Sequence, residues 1–503
     1  MSEEKKKSAN FSRREFIGTI AAATAFTIIP RSVLGGKGYT APSDMVNLAG
    51  IGVGAQGGGD IRNIATPDVP IGSRTTPGHT NFSYPYAGIQ PQRPMRPARP
   101  TTTTSTAGVA DANATVQLGA AAGNETFKHA NIYALCDVDH DYASHILAGY
   151  PKAKKYVDFR EMIDKEKEID AVLIGTPDHT HAVIAAYAMN AGKHVFVEKP
   201  MTKTIYEARF LRDLAKKKGL VTQMGNQGHN IEGTMQTAEW IQSGVIGNVT
   251  EVHMWSNRPI WKQGWAERPA GVPVPGNLNY DVWLGPAPEK PYHPDILHFN
   301  WRGLVDYGTG AMGDMGAHTF DAPIWALNLG MPTKIQATST AYNDVYLPQG
   351  ESVSYQFPAR GNMPPVTVTW TDGGLKPPRP SQLEPNRQLS EALYIGDKGM
   401  LMHGTHGAIP QLIPEREYSA PKTLPRPKSI YVDFIEAIKE GRKAANDFEI
   451  SAKLTEIMLL TNVAVAAQRL NLTLEYDAEN MKITNCPEAN DYFHYEYRSG
   501  WKL

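Results

Sequence analysis

The chain has 503 residues, 41% of them apolar and 20% charged, so it can bury cores in two or three domains and is not a disordered polymer. Its 50 Lys+Arg against 51 Asp+Glu leave a net charge of −1, which offers no basic footprint for nucleic acid and no attraction to an anionic membrane. Two cysteines, Cys136 and Cys486, provide neither a disulfide framework nor a cysteine-cluster metal site. No uninterrupted apolar run reaches the roughly 18 residues of a membrane-spanning helix, so no membrane insertion is expected.

At the start, Lys5, Lys6 and Lys7 lead into Ser12-Arg13-Arg14-Glu15-Phe16-Ile17. Residues 17–29 are then small or apolar, broken only by glycine and threonine. A basic stretch, a paired arginine and a short apolar run resemble a twin-arginine export signal, which predicts a signal over 1–36 and a periplasmic protein. No cysteine follows the apolar run, so no lipid anchor is expected.

Between 46 and 226, short apolar runs alternate with helical periodicity, the pattern of a parallel sheet covered by helices. Strands are predicted over 46–51, 131–136, 171–175, 194–197 and 220–224, and helices over 180–191 and 204–217. Gly192 and Gly219 stand as helix stops. One stretch breaks the rhythm: about 66–126 is rich in Pro, Thr and Gly, with Pro91, Pro94, Pro97 and Pro100 at regular spacing beside Arg93, Arg96 and Arg99. It reads as an extended, solvated insertion. After 226 the texture becomes strand-like, with half-exposed strands predicted over 249–255, 334–340 and 366–370. Helical periodicity returns over 430–438 and 451–468. The expected architecture is α/β: an N-terminal Rossmann dinucleotide-binding domain over 44–227, then a C-terminal α+β domain over 228–503 with a large, mainly antiparallel open sheet.

Gly52-Val53-Gly54-Ala55-Gln56-Gly57 follows the first strand and precedes a helical pattern, where such a glycine motif has meaning. Gly52 permits the tight turn, Gly54 the approach of a pyrophosphate, and Gly57 close packing of helix on strand, with Ala55 and Gln56 at the helix start. The acidic partner that should follow by about 20 residues arrives at Asp137 once the proline-rich insertion is removed. A carboxylate there would hold the adenosine ribose hydroxyls and repel a 2′-phosphate, so NAD is expected rather than NADP.

Further on stand Gly175-Thr176-Pro177-Asp178-His179-Thr180-His181 and His194-Val195-Phe196-Val197-Glu198-Lys199-Pro200. Together with the glycine motif, these resemble the Gfo/Idh/MocA family of sugar and polyol oxidoreductases. The resemblance implies that Lys199 works with an Asp–His pair four residues apart, here Asp314 and His318. Oxidising a carbinol requires hydride transfer to the nicotinamide and removal of the hydroxyl proton. With an unperturbed pKa near 6.5, His318 suits the general base, Asp314 would orient it, and Lys199 would stabilise charge on the reacting oxygen. Each also has a plainer reading: Asp314 as the cap of a helix starting near Met315, His318 as a packed histidine, Lys199 as a surface residue.

By resemblance, Glu198 and Asn226 lie near the nicotinamide, while Gln227 and His229 face cofactor or substrate. Thr176, Pro177, Asp178 and His181 are expected along the cofactor, although Asp178 equally suits a helix N-cap. Trp301, Arg302, Asp306 and Tyr307 are candidates for the sugar, and Arg258 could join them. His179/His181 and His403/His406 are too loosely spaced for a metal site, and none is expected.

The function expected is an NAD-dependent oxidoreductase acting on a secondary hydroxyl of a sugar or glycoside, C3 being one candidate, with a cofactor retained through turnover. A redox-neutral NAD-dependent glycosidase and a non-catalytic sugar- or nucleotide-binding protein are the alternatives. The resemblance also implies a homo-oligomer, dimer or tetramer.

Overall fold

The computed structural model describes residues 44–71 and 127–503. The export signal over 1–36 and nearly all of the proline-rich insertion therefore lie outside the described residues.

The first sheet has six parallel strands: β1 (Asn47–Ile51), β2 (Asn131–Cys136), β3 (Lys154–Tyr156), β4 (Ala171–Ile174), β5 (His194–Glu198) and β6 (Thr222–Gly225). Their order, β3-β2-β1-β4-β5-β6, is that of a doubly wound dinucleotide-binding sheet. The central strands read as unbroken apolar runs because helices cover both faces. On one side lie α1 (Gln56–Ile64) and α2 (Ser144–Gly149); on the other lie α3 (Phe159–Lys165), α4 (Asp178–Asn190) and α5 (Ile205–Lys218). Local signals fix α5 at both ends. Thr204 and Glu207 form a reciprocal capping box, and Gly219 ends the helix at φ +66°.

Beyond α6 (Glu232–Gln242) a second sheet of nine strands follows. Its members are β7 (Val249–Trp255), β8 (Lys334–Ser339), β9 (Glu351–Phe357), β10 (Val366–Thr371), β11 (Ala392–Gly396), β12 (Gly399–His403), β13 (Gln411–Ile413), β14 (Leu474–Asp477) and β15 (Lys482–Ile483). The order is β13-β12-β11-β7-β10-β9-β8-β14-β15; pairing is antiparallel except between β7 and β10. Four more α-helices follow among the described residues: α7 (Tyr280–Leu284), α8 (Gly310–Ala326), α9 (Ile430–Glu440) and α10 (Phe448–Ala467).

One expectation about helices changes. α8 begins at Gly310 rather than near Met315, so Asp314 sits inside the helix and caps nothing. α10, expected over 451–468, passes a length and composition test for a membrane-crossing helix but is a core helix packed on α5 and α8.

Candidate active site

β1 ends in a tight turn at Gly52 (φ +75°), where a Cβ would meet Thr176 Cγ2 at 2.5 Å. Gly57 packs α1 against the neighbouring strand end: a Cβ there would lie 2.4 Å from the Gly52 carbonyl oxygen. No side chain caps α1, so the amides at its start are left for an anion. At the end of β2, Asp137 accepts from the amides of Gly54 (2.9 Å) and Asp139 (3.0 Å), and burial raises its pKa.

These features open on a cleft of about 1010 Å³, whose wall includes Gly52, Gly54, Ala55, Gln56, Asp137, Thr176 and Pro177. The uncapped helix start and the carboxylate at the strand end fit a dinucleotide, with pyrophosphate at α1 and ribose at Asp137.

The same cleft continues to Glu198, Lys199, Arg258, Trp301, Arg302 and Asp314. Lys199 follows β5 and Asp314 lies in the first turns of α8, 115 positions later. The Lys199 ammonium donates to Asp314 Oδ1 at 3.0 Å and to its carbonyl at 2.8 Å; the two side chains are 13% and 16% exposed. Arg258 Nε reaches Asp314 Oδ2 at 3.2 Å, and Arg302 Nε stands 3.7 Å from Oδ1. Burial works to raise the Asp314 pKa, but Lys199, Arg302 and Arg258 outweigh it and hold the carboxyl below the usual carboxylate range.

His318 lies one turn further along α8, 4% exposed and off the cleft wall. Its Nδ1 pairs with Asn226 Oδ1 at 2.9 Å, and its ring stacks on His406 with centroids 3.8 Å apart. Burial, then His406 and the cationic side chains, pulls its pKa well below 6.5, so the ring is neutral. Glu198 is the opposite case: burial, then the charge of nearby Asp60, pushes it far up, and Asp60 itself rises to about 6 by burial.

Several expected site residues are elsewhere. The Asp178 carboxylate neither caps α4 nor faces the cleft; it accepts from Arg302 Nη1 (3.0 Å) and the Thr309 amide (3.1 Å). His181 is buried with both ring nitrogens against the carbonyls of Pro200 and Thr176, 2.8 Å each. Asn226 and His229 are buried and hydrogen-bonded to Asp321. Gln227 donates to Glu198 and Tyr431, Asp306 faces Arg268, and Tyr307 is wholly buried with its hydroxyl on Arg268. Apart from Thr176, five residues before His181, their partners lie about 20 to 200 positions away, and a motif does not reveal them.

Other cleft residues escaped the sequence reading. Tyr142 and His298 stack at 3.9 Å on the wall near Asp137, with His298 Nε2 on Asp139 Oδ2 at 3.0 Å. Ile260 and Phe299 join them, and His406 backs His318. Tyr142, so close after Asp137, carried a local hint; the rest carried none.

A dinucleotide cradle sharing one cleft with a lysine–aspartate pair defines a nicotinamide-linked oxidoreductase class. The chain belongs to the Gfo/Idh/MocA oxidoreductase family. Residues 234–503 match its C-terminal alpha/beta domain, and residues 108–226 match its NAD-binding Rossmann fold. An uncharacterized oxidoreductase of Schizosaccharomyces pombe is 37% identical over 139 residues, covering 27% of this chain and 36% of that protein. Levoglucosan dehydrogenase of Pseudarthrobacter phenanthrenivorans is 28% identical over 165 residues, 33% of this chain and 34% of that enzyme. These alignments span about a third of each relative's length. Among solved structures, an aldose-aldose oxidoreductase from Caulobacter crescentus in complex with glycerol aligns at a TM-score of 0.47 with 18% identity, over 69% of this chain and 92% of that one.

Proposed function

We propose that this chain is an NAD-dependent oxidoreductase that takes hydride from a secondary hydroxyl of a sugar or glycoside. The observation that carries the reading is the Lys199–Asp314 pair at 3.0 Å on the wall of the cleft that also contains the glycine turn and Asp137. The similarity to levoglucosan dehydrogenase supports a sugar substrate.

Bound NAD would supply the hydride acceptor. Gly52, Gly54 and the start of α1 would hold its pyrophosphate, and Asp137 its adenosine ribose. Lys199 donates to the hydroxyl oxygen and stabilises the charge that develops as the proton leaves. Asp314, compensated by three cations, keeps Lys199 in place. The proton is assigned to His318, which stands behind the cleft wall one turn along α8 from Asp314 and so receives it past that wall rather than by contact seen in this structure. The ring is neutral, and its Nε2 makes no hydrogen bond among the described residues. Trp301 and Trp261 offer aromatic faces to the sugar ring, and Arg258 and Arg302 its hydroxyl contacts.

The reading includes a dinucleotide domain over 44–227, a substrate domain over 228–503, assembly into a dimer or tetramer, and export under the direction of residues 1–36. An exported enzyme would have to retain its NAD, and a second substrate would then have to return it to the oxidised form within the cycle. The test is to denature purified protein and assay released nicotinamide, then incubate native enzyme with glucosides, a 3-keto product being the first to seek. Keto-sugar supports the proposal; free sugar alone points to a glycosidase, and neither product to a binder. Cell fractionation and light scattering check export and assembly.

A further inference from the structure

We infer that Asn226, Asp321 and His229 form a positioning chain that holds His318 with its ring proton on Nδ1. The inference rests on the proposed role of His318 as proton acceptor.

The argument starts from Asn226, whose amide has one orientation that satisfies its neighbours. Its Nδ2 faces two acceptors, the Ala317 carbonyl at 3.0 Å and Asp321 Oδ2 at 3.1 Å. Oδ1 is therefore the atom that meets His318 Nδ1 at 2.9 Å, and since Oδ1 only accepts, Nδ1 must donate. In a neutral ring the proton on Nδ1 leaves Nε2 with its lone pair. That is the nitrogen a departing hydroxyl proton needs.

Something must in turn prevent Asn226 from turning over. Asp321 lies on α8 less than one turn after His318 and accepts from His229 Nδ1 at 2.9 Å; His229 Nε2 faces the Ala445 carbonyl at 3.1 Å. Both ring nitrogens of His229 thus point at acceptors, an arrangement only the doubly protonated ring satisfies. Burial opposes that charge, but Asp321 outweighs it and raises the His229 pKa. The ring also lies flat on Trp325, centroids 5.1 Å apart. All four side chains are buried, so water does not compete for these bonds. A flipped Asn226 would set its NH₂ against His318 Nδ1–H and its oxygen against Asp321. The chain runs Ala445 carbonyl, His229, Asp321, Asn226, His318, and each link has one sense. Second-layer partners of this kind fix the tautomer of ligating histidines, and their loss typically costs about 10–100-fold in function.

The test combines selective nitrogen-15 histidine labelling with kinetics. His318→Gln identifies the His318 ring signals by difference, and their pattern reports which nitrogen bears the proton. Wild type should show Nδ1–H. Asp321→Asn should mix or invert the tautomers, with kcat falling about 10–100-fold at nearly constant KM. His229→Gln, which keeps a neutral donor toward Asp321, should keep the Nδ1–H tautomer and lose less rate than Asp321→Asn, and a melting curve of each variant separates a folding defect from a change of tautomer. A wild-type His318 protonated on Nε2, or an Asp321→Asn spectrum and kcat equal to wild type, overturns the inference. A wild type that oxidises no sugar fails the proposed function instead, while the spectra still judge the chain.

Discussion

Substituting Lys199→Met keeps the length and apolar stem of the side chain and deletes one charged donor. The reacting oxygen then develops its charge without a partner, and loss of one such donor costs about 10²–10³ in kcat, or ~2.7–4 kcal/mol. The effect on stability is bounded by what remains around Asp314. Arg258 at 3.2 Å and Arg302 at 3.7 Å still face its carboxylate. The carboxylate is therefore not stripped bare, a situation that costs ~3–5 kcal/mol, and the loss stays nearer one charged hydrogen bond, about 1.5–3 kcal/mol. The assay is single-turnover reduction of the bound nicotinamide by the best glucoside, beside nicotinamide content after denaturation and a melting curve. Expected are the kcat loss, unchanged nicotinamide content and a modestly lowered Tm. A kcat within a few-fold of wild type, or a protein emptied of nicotinamide, refutes the assignment of Lys199 to the reacting oxygen.

Glu351 and Asp372 form a buried carboxyl pair in which burial drives Glu351 well up and Asp372 from 3.8 to about 7. The folded state therefore binds more protons than the unfolded chain, on Asp372 up to about pH 7 and on Glu351 beyond the usual carboxylate range, so stability falls as pH climbs from about 4 through 7. Glu351→Gln removes the sharing partner, and its Tm should fall less than that of wild type between pH 5 and pH 8. Gly57→Ala sets a Cβ against backbone on two sides, the Gly52 oxygen at 2.4 Å and Gly175 Cα at 3.2 Å; a loss of roughly 1–3 kcal/mol and of bound nicotinamide should show in melting curves and cofactor assay. Asp137→Ala should weaken NAD retention about tenfold, ~1.4 kcal/mol, and admit NADP, measurable by exchange of bound cofactor.

Much of the fold could be read from local pattern because its signals are local. The apolar runs of β1, β2 and β4 are the buried centre of a parallel sheet, and Gly219 closes α5 by its own backbone freedom. β3 could not be read: Lys-Lys-Tyr at the sheet edge is too short and too polar to show periodicity. α6 was hidden for another reason, since its buried residues include polar groups: Thr234 and Thr237 donate to the Gly228 and Gly233 carbonyls of the preceding turn, and Glu239 is held by Arg426, 187 positions away. The site divides along the same line. The glycine turn, Lys199 and the Asp314/His318 spacing stand out within short windows. Which face Asp178 or His229 turns is set by Arg302 and Asp321, 124 and 92 positions away. The His318–His406 stack likewise joins a helix to a loop beyond β12, a pairing that topology alone creates.

Arg302 has a place in both halves of the molecule. Nη1 grips Asp178 at the head of α4, Nε approaches Asp314, and the side chain faces the cleft. A change there that altered which sugars are accepted would also loosen the joint between the two sheets' helices. Ile260, half-exposed on the same wall, can be recut without touching that joint.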